Sequence, residues 1–307
     1  FDHVSRALCL GAFGQQPLAF SPRFGKIEPP KEQRKRGQAI MLKPLYSPRP
    51  GQPMRVAGFM SGSGTNLVKI LERQENLSHA PERCPYEVVV VLTDNPSSNA
   101  ARIAESRGLP LAVADILAFY RSRGHSTKKD LSLRPEFDRR VLDALSPHAV
   151  DAIVLAGYMS VVTAPLLAAF AGRIINVHPA DLRILDGGRR KYTGDYAVRD
   201  AILAGESVLR ATTHIVRAEV DGGEILMVSA PVRIELPEGV WAGKPAWPEH
   251  RDLWNRIARE HQERLKRVGD WEILPKTLEW LAQGRYSIDD EGRTYLDEER
   301  LRDPEAP

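Results

Sequence analysis

Residues 54–67 read Met-Arg-Val-Ala-Gly-Phe-Met-Ser-Gly-Ser-Gly-Thr-Asn-Leu, and this stretch decides the fold class. Residues 55–60 form an apolar run of strand length, and residues 66–74 have the pattern of a helix. The glycines between them mark a tight connection. A strand that enters a helix through a short glycine turn is half of a β-α-β unit, so the stretch predicts an α/β protein.

The alternation of strand and helix continues along the chain. The predicted strands are residues 87–93, 111–114, 152–156 and 174–177, and the predicted helices are 99–107 and 135–145. The strands are nearly continuous apolar runs, which favours a mostly parallel, twisted sheet with helices on both faces. After Gly205 the pattern changes. Residues 212–220 and 224–234 are predicted strands joined by a tight Asp-Gly turn, so the C-terminal half should contain antiparallel strands.

The two ends of the chain differ in composition from the middle. Residues 1–53 are rich in proline, carry the basic run 31–36 and show no sustained period, so we predict an irregular N-terminal arm. Residues 54–286 are the predicted domain, and residues 287–307 an acidic C-terminal tail. The sequence begins with Phe1 rather than methionine. We hypothesise that the arm is a leader or a misassigned start, which an intact-mass measurement would decide.

Composition excludes several classes of protein. The 307 residues carry a net charge of +3, which is too mild to indicate nucleic-acid binding. Cys9 and Cys84 are the only cysteines, which excludes a disulfide scaffold, and no spacing suggests a metal site, so no metal is expected. The apolar stretch 152–172 fits a buried strand followed by a helix better than a membrane span. We expect a cytoplasmic monomer or homodimer that acts on small molecules, with no nucleic-acid or membrane partner.

The loop Ser61-Gly62-Ser63-Gly64-Thr65-Asn66-Leu67 is the first candidate site. Free N–H groups at a helix N-terminus suit an anion such as phosphate, and glycines let the ligand approach the backbone. The loop lacks the lysine of a Walker A motif, and Leu67 stands where a dinucleotide fingerprint has its third glycine. Asp94, at the end of the next long strand, keeps a dinucleotide site open as an alternative, as does a simple tight turn.

Asn176 and His178 form the second candidate site, with Asp221 as a partner. The two residues lie two apart at the carboxyl end of a predicted strand, where open α/β sheets bind ligands. Taken singly, each residue has a structural explanation. Asn176 can be a capping residue, His178 an ordinary packed histidine, and Asp221 part of a hairpin turn. Together, a carboxylate beside His178 is expected to raise the pKa of the imidazole and hold its tautomer, while Asn176 donates to an oxyanion. This set suits acyl transfer to an amine without a covalent intermediate.

Four motifs, in this order and spacing, resemble those of the 10-formyltetrahydrofolate-dependent formyltransferases, in the branch that formylates glycinamide ribonucleotide. They are residues 61–67, Ala156-Gly157-Tyr158-Met159, Asn176-Val177-His178-Pro179 and Val220-Asp221-Gly222-Gly223. The resemblance runs from about residue 55 to about residue 284. It implies a Rossmann-like formyltransferase fold and a transferase of one-carbon metabolism. The enzyme would pass a formyl group from its co-substrate, 10-formyltetrahydrofolate, to the acceptor amine in de novo purine biosynthesis.

The resemblance also implies roles for single residues. Asn176 and protonated His178 would stabilise the tetrahedral oxyanion formed by direct attack of the amine, and Asp221 would support His178 and relay protons through water. His214 matches a family histidine near the site, although a packed histidine is an equal interpretation. Binding of the phosphate and acceptor is assigned to Gly62, Gly64, Thr65, Asn66 and, by a loose alignment, Arg267 and Asp270. Binding of the folate is assigned to Met159, Ser160, Val161 and Val162.

Two stretches depart from the family pattern, and both fall on the acceptor side. Residues 180–194 include an insertion with Arg189, Arg190 and Lys191, which either bind an anionic group or form a solvated basic loop. Residues 238–263 form a second departure, rich in Trp and Pro. Three alternatives therefore remain open: formyl transfer to another phosphorylated amine, hydrolysis of 10-formyltetrahydrofolate, and a non-catalytic nucleotide- or folate-binding protein.

Overall fold

The structure is a computed structural model that describes residues 41–79, 83–238, 240 and 250–301. Most of the predicted N-terminal arm, part of the stretch 238–263 and the end of the predicted tail lie outside these residues. Within the described ranges, no helix is long and apolar enough to cross a membrane.

Short and long strands alternate with helices along the described chain. The strands are β1 (Lys43–Pro44), β2 (Met54–Met60), β3 (Tyr86–Thr93), β4 (Leu111–Val113), β5 (Ala152–Leu155), β6 (Ile174–His178), β7 (Leu185–Asp186), β8 (Arg189–Arg190), β9 (Val208–Leu209), β10 (Thr212–Ile215), β11 (Ile225–Val228), β12 (Val232–Arg233), β13 (Tyr286–Ile288), β14 (Thr294–Leu296) and β15 (Glu299–Arg300). The helices are α1 (Thr65–Ser78), α2 (Ala100–Ser106), α3 (Ile116–Arg121), α4 (Arg134–Leu145), α5 (Ala164–Ala169), α6 (Ala197–Ala204), α7 (Arg251–Leu265) and α8 (Trp271–Ala282).

A seven-stranded sheet lies at the centre of the fold, in the order β11-β10-β6-β5-β2-β3-β4. The five strands from β6 to β4 are parallel, and β10 and β11 add antiparallel pairs at one edge. This confirms the predicted mostly parallel sheet with antiparallel strands in the C-terminal half. The carboxyl ends of β2, β5 and β6 come together at one edge of the sheet, so the loops that follow them lie side by side.

Both faces of the sheet are buried. Along β2, Val56 and Met60 pack into one core with α1, α2, α6 and the C-terminal helices, whereas Ala57 and Phe59 pack into the other with α3, α4 and α5. Successive side chains of a strand point to opposite faces, so an uninterrupted apolar strand needs a helical layer on each side. The continuous apolar runs in the sequence follow from this arrangement.

Gly64 fixes the passage from β2 into α1. The residue has a φ of 71° immediately before the first residue of the helix, which is a left-handed conformation that costs a non-glycine residue free energy. A Cβ at this position would lie 2.5 Å from the Cδ1 of Ile103 and 2.7 Å from the Cε of Met60. The glycine is therefore required by the backbone and by the packing of α2 against the loop.

The predicted antiparallel pairing across Asp221-Gly222-Gly223 is confirmed, but the predicted tight turn between the two strands is wrong. Strand β10 ends at Ile215, β11 begins at Ile225, and the chain between them forms a loop. Asp221 has a φ of 53°, and a Cβ on Gly223 would lie 1.7 Å from the carbonyl oxygen of Ile215. Gly223 therefore allows the loop to fold back closely on the end of β10, and the loop returns Asp221 to the side chain of His214 on that strand.

Residues outside the predicted limits 54–286 also form regular structure. β1 pairs with β13, which continues through β14 to β15 in a four-stranded antiparallel sheet. Tyr46 and Tyr286 are buried in the main core beside this sheet. Part of the predicted arm and part of the predicted tail thus lie together on the domain.

The C-terminal helices form one run rather than two separate segments. The sequence predicts separate helices near residues 251–267 and 275–282. Instead, a π-helical turn, Lys266–Asp270, joins α7 to α8, and Pro275 lies inside α8. π-helical turns inside α-helices are frequent at functional sites. Here the turn carries Asp270, whose side chain is buried.

We expect Gly64→Ala to lower the free energy of unfolding by about 2 kcal/mol, because a left-handed alanine costs about 1–2 kcal/mol and its Cβ crowds Ile103 and Met60. Urea unfolding followed by circular dichroism measures this. Gly62→Ala is the matched control, since a Cβ there meets nothing within 4 Å. Equal losses in the two variants would contradict the role given to Gly64.

Candidate active site

A cavity of about 340 Å³ opens beside the carboxyl ends of β5 and β6. It gathers most of the side chains that the sequence singled out. The predicted residues that line it are Asn66, Met159, Ser160, Val161, Val162, Asn176, His178, Asp221 and Asp270. Residues from distant parts of the chain thus meet in one place, at the edge of the sheet where the sequence predicts a site.

Three glycine-loop residues and Arg267 do not line this cavity. Gly62, Gly64 and Thr65 lie on the turn just before Asn66, which does line it. Arg267 instead borders a separate surface depression with Pro231, Val232, Arg233, Arg264 and Val268. The position of Arg267 therefore gives no support to the loose alignment that assigns it to the acceptor, and that assignment stays a prediction.

Strand β6 positions Asn176 and His178. Val177 between them points into the core, so the two polar side chains leave the opposite face together. The antiparallel neighbour β10 places Thr212 opposite His178 and His214 opposite Asn176. Because of this register, two histidines and an asparagine share one small region at the end of the sheet.

Asp221 lies between the two imidazoles. Its Oδ2 is 3.4 Å from His178 Nδ1, and its Oδ1 is 3.5 Å from His214 Nε2. The N–H of Gly194 donates to Oδ2 at 2.8 Å, and the guanidinium of Arg190 donates to the Asp221 carbonyl oxygen. The loop 216–224 and the inserted loop 180–194 therefore hold the carboxylate jointly.

His214 is both packed and part of the cavity wall. Its Nδ1 lies 2.9 Å from the carbonyl oxygen of Ile215, so in the neutral ring this nitrogen carries the proton. Its Nε2 then accepts a hydrogen bond from Asn176 Nδ2 at 3.1 Å. This bond fixes the amide of Asn176 and leaves its second N–H for another acceptor.

His178 is held in a similar way by the inserted loop. Its Nε2 lies 2.9 Å from the carbonyl oxygen of Tyr192, so a neutral ring donates from Nε2. Burial lowers the pKa of His178 and outweighs the opposing effect of the Asp221 charge. Asp221 therefore raises the pKa of this imidazole as expected, but the net shift is downward because of burial, whose depth the spacing in the sequence does not reveal.

For the carboxyl group of Asp221, the neighbouring groups outweigh the effect of burial on the pKa. Burial raises the pKa of its carboxyl group, but the neighbouring His214 and His178 and the N–H of Gly194 favour the charged form and leave a pKa of about 2. At neutral pH the site therefore contains a carboxylate anion next to a neutral imidazole. A proton taken up by His178 would be stabilised at once by this anion.

Asn66 and Asp270 form a second hydrogen-bonded pair in the cavity wall. Asn66 Nδ2 donates to Asp270 Oδ2 at 3.1 Å, while the Oδ1 atoms of both residues are buried without a hydrogen-bond partner in the described part of the chain. Burial raises the pKa of Asp270, and the bond from Asn66 opposes this. Two buried acceptor oxygens without donors suit a ligand that offers hydroxyl groups.

Gln262 and Lys266 also line the cavity, and the sequence analysis did not predict them as site residues. With Asp270 they form a series spaced by four residues, which places side chains on one helical face. That spacing was a usable signal. The spacing is hard to recognise in the sequence because the stretch 238–263, which includes most of α7, departs from the family pattern.

The loop after β5 is pinned by three side chains from other elements. The N–H of Met159 donates to Ser61 Oγ at 2.9 Å, and Ser160 Oγ donates to the buried carboxylate of Asp94. The N–H and hydroxyl of Thr163 both donate to Asp138 Oδ2 at 2.6 Å. Asp94 thus supports this loop, which argues against the alternative in which it binds the ribose of a dinucleotide.

Comparisons with known proteins agree with this geometry. The formyl transferase family model matches residues 54–237. Phosphoribosylglycinamide formyltransferase of Haemophilus influenzae is 30% identical over 80% of this chain and 95% of its own length. The structure of glycinamide ribonucleotide transformylase 1 from Symbiobacterium toebii is 29% identical, with a TM-score of 0.57 over 80% of this chain and 95% of that chain. A formyltetrahydrofolate deformylase of Burkholderia mallei, 18% identical over 80% of this chain and 70% of that chain with a TM-score of 0.55, shares the fold.

The family match spans more than half of the chain and contains β2, β5, β6 and the loop that bears Asp221. The chain therefore belongs to the formyl transferase family.

Proposed function

We propose that this protein transfers a formyl group from 10-formyltetrahydrofolate to the amine of glycinamide ribonucleotide by direct attack of the amine. The observation that best supports this is the cluster of Asn176, His178 and Asp221 at one end of the cavity, with the carboxylate within 3.5 Å of two imidazoles. The formyl transferase family and the name of the Haemophilus influenzae relative support the same reaction.

The chemistry follows from the charge states of these groups. As the amine attacks the formyl carbon, a C–N bond forms and the formyl oxygen becomes an oxyanion. The second N–H of Asn176 is available to that oxygen. The proton lost by the amine is received at His178 Nδ1, directly or through water, and the resulting imidazolium is paired with Asp221 at 3.4 Å.

Collapse of the intermediate completes the transfer. The bond between the formyl carbon and N10 of the folate breaks, and the proton held by His178 passes to this departing nitrogen. Asp221 remains an anion throughout, because its pKa of about 2 makes it a poor resting place for a proton. Its role is to stabilise the charged imidazole.

The two substrates would contact two different sets of residues in and beside the cavity. The folate would lie against Met159, Ser160, Val161 and Val162, whose loop is held by Ser61, Asp94 and Asp138. The acceptor phosphate would lie at the N-terminus of α1, on Gly62, Gly64, Thr65 and Asn66. Asp270 and Asn66 would accept hydrogen bonds from ribose hydroxyls, and Arg267 is left out of this proposal.

A second candidate is formyl transfer to another phosphorylated amine. The altered loop 180–194 supports it, since its extra residues include the β7–β8 hairpin and lie directly before Tyr192 and Gly194, which contact His178 and Asp221. Arg190 contacts the Asp221 carbonyl, Lys191 lies 3.7 Å from Glu206, and Arg189 is exposed. The basic residues of the insertion are thus partly engaged within the protein and partly open to an acceptor.

Turnover of 10-formyltetrahydrofolate should require glycinamide ribonucleotide. The absorbance of the folate product, followed with purified protein in the presence and absence of the acceptor, measures this. Donor consumption without the acceptor would indicate the hydrolase. Binding of a stable deaza analogue without turnover would favour another amine, and neither binding nor turnover would refute formyl transfer.

We expect His178→Ala and Asp221→Asn each to lower kcat by at least 10²- to 10³-fold, because each removes a group that stabilises charge in the transition state. Steady-state kinetics measures the loss, and circular dichroism verifies that the variants are folded. His148→Ala, at the last residue of the short helical turn Ser146–His148 that comes before β5, is the control and should retain activity. Full activity of either site variant would remove that residue from the mechanism.

The neutral state of His178 is directly measurable. Nuclear magnetic resonance titration of its imidazole should give a midpoint below the usual value of 6.5, because burial disfavours the charged ring. In Asp221→Asn the midpoint should fall further, since the opposing negative charge is lost. A midpoint above the pH of the activity assay in the unsubstituted protein would mean that His178 rests protonated and would reverse its first step in the mechanism.

A further inference from the structure

Lys128 is a cation at the rim of the cavity that the mechanism does not use. It lies on the segment between α3 and α4, outside every motif that identifies the family. Its Nζ is 3.3 Å from Ser160 Oγ and 3.4 Å from the Met159 carbonyl oxygen. Both of these residues line the cavity, so the ammonium group lies beside the end where the folate is proposed to bind.

The charge of Lys128 differs from that of the other cations near the cavity. Arg217 forms two hydrogen bonds of 2.8 and 2.9 Å with Glu224, and Lys266 lies 2.6 Å from Glu263. Each of these cations is neutralised by a carboxylate. The described contacts of Lys128 are two uncharged oxygens, at distances too long for strong bonds. Its charge is therefore available to an anionic group of a ligand.

The geometry around Ser160 keeps Lys128 at this place. Ser160 donates its only hydroxyl hydrogen to Asp94, so its oxygen presents a lone pair to the ammonium group. Met159, which is 58% exposed, presents its carbonyl oxygen beside it. Two acceptors thus orient a half-buried lysine at the cavity mouth without satisfying its charge.

From this geometry we infer that Lys128 binds a carboxylate of the glutamate tail of the folate donor, an inference that rests on the proposed function. A folate is an uncharged pterin and aminobenzoyl unit joined to a glutamate that is anionic at neutral pH. With the pterin against residues 159–162, the tail leaves the cavity past Met159. Lys128 is placed to meet it there with a charge-assisted hydrogen bond.

A purely structural role for Lys128 makes a different prediction. If the ammonium group only supported the loop through Ser160 and Met159, its removal would weaken every ligand of that loop, whether or not the ligand carries a carboxylate. If Lys128 binds the tail, its removal weakens only ligands that carry glutamate. The comparison of two donor analogues therefore separates the two roles.

The test is calorimetric binding of a stable 10-formyl-dideazafolate and of the matching pteroate, which lacks the glutamate. Lys128→Met should raise Kd for the folate analogue about fivefold, as expected for a partly exposed ion pair, and leave Kd for the pteroate unchanged. Lys128→Arg should restore most of the affinity. In steady-state assays the loss should appear in KM for the donor, with kcat unchanged, and should shrink at high salt.

Lys129→Met is the matched control, because it removes the same charge from the neighbouring, exposed position. It should leave both Kd values near those of the unsubstituted protein. An equal loss of affinity in Lys129→Met would show that the effect comes from the general positive charge of this segment. An equal loss of affinity for both analogues in Lys128→Met would show a structural role. Either result overturns the inference. No change in Lys128→Met overturns it as well. Failure of the unsubstituted protein to bind either analogue would instead refute the proposed function itself.

Discussion

The antiparallel pairing of β10 beside β6 is the constraint on which the site depends. Parallel strands end in loops at one edge of a sheet, so a purely parallel sheet would bring to His178 only residues from such loops. The reversed strand places His214 directly opposite Asn176 and starts the loop that returns Asp221 to the same point. A single hydrogen-bonded register thereby assembles two imidazoles, an amide and a carboxylate. The register is fixed because a shift of one residue would exchange these side chains with those of the core.

Much of the sheet was predictable because its signals are local. The strand, glycine turn and helix of residues 54–78 follow from apolar periodicity and from Gly64, and the structure confirms them. The loop 216–224 was not predictable in the same way. Asp-Gly predicts a tight hairpin, but the contact between Gly223 and the Ile215 carbonyl joins residues that only tertiary packing brings together. The continuous helical run through Pro275 was missed for a related reason, since proline is a strong local signal for a helix boundary.

In the candidate site, too, local features were predictable from the sequence, whereas features that depend on tertiary packing were not. The spacing of Asn176 and His178 predicts that their side chains share a face, and the cavity confirms their proximity to Asp221. Their ionisation was not accessible from spacing, because the pKa of His178 is set by burial under the inserted loop. The acceptor side was only partly predicted. Asp270 lies in the cavity and Arg267 does not, since a helix turns by about 100° per residue and an error of one position changes the face.

The bond between His178 Nε2 and the Tyr192 carbonyl oxygen links two properties that are usually separable, the choice of acceptor and the rate of catalysis. Tyr192 directly follows the extra residues of the loop 180–194, which is predicted to lie near the acceptor, and its backbone fixes the tautomer of the imidazole. Gly194, two residues later, holds the Asp221 carboxylate. Any change that reshapes this loop for a different acceptor also moves the two groups that handle the proton. On the proposed mechanism, a change of acceptor made through this loop would therefore also change the catalytic rate, because the same stretch of backbone holds His178 and Asp221.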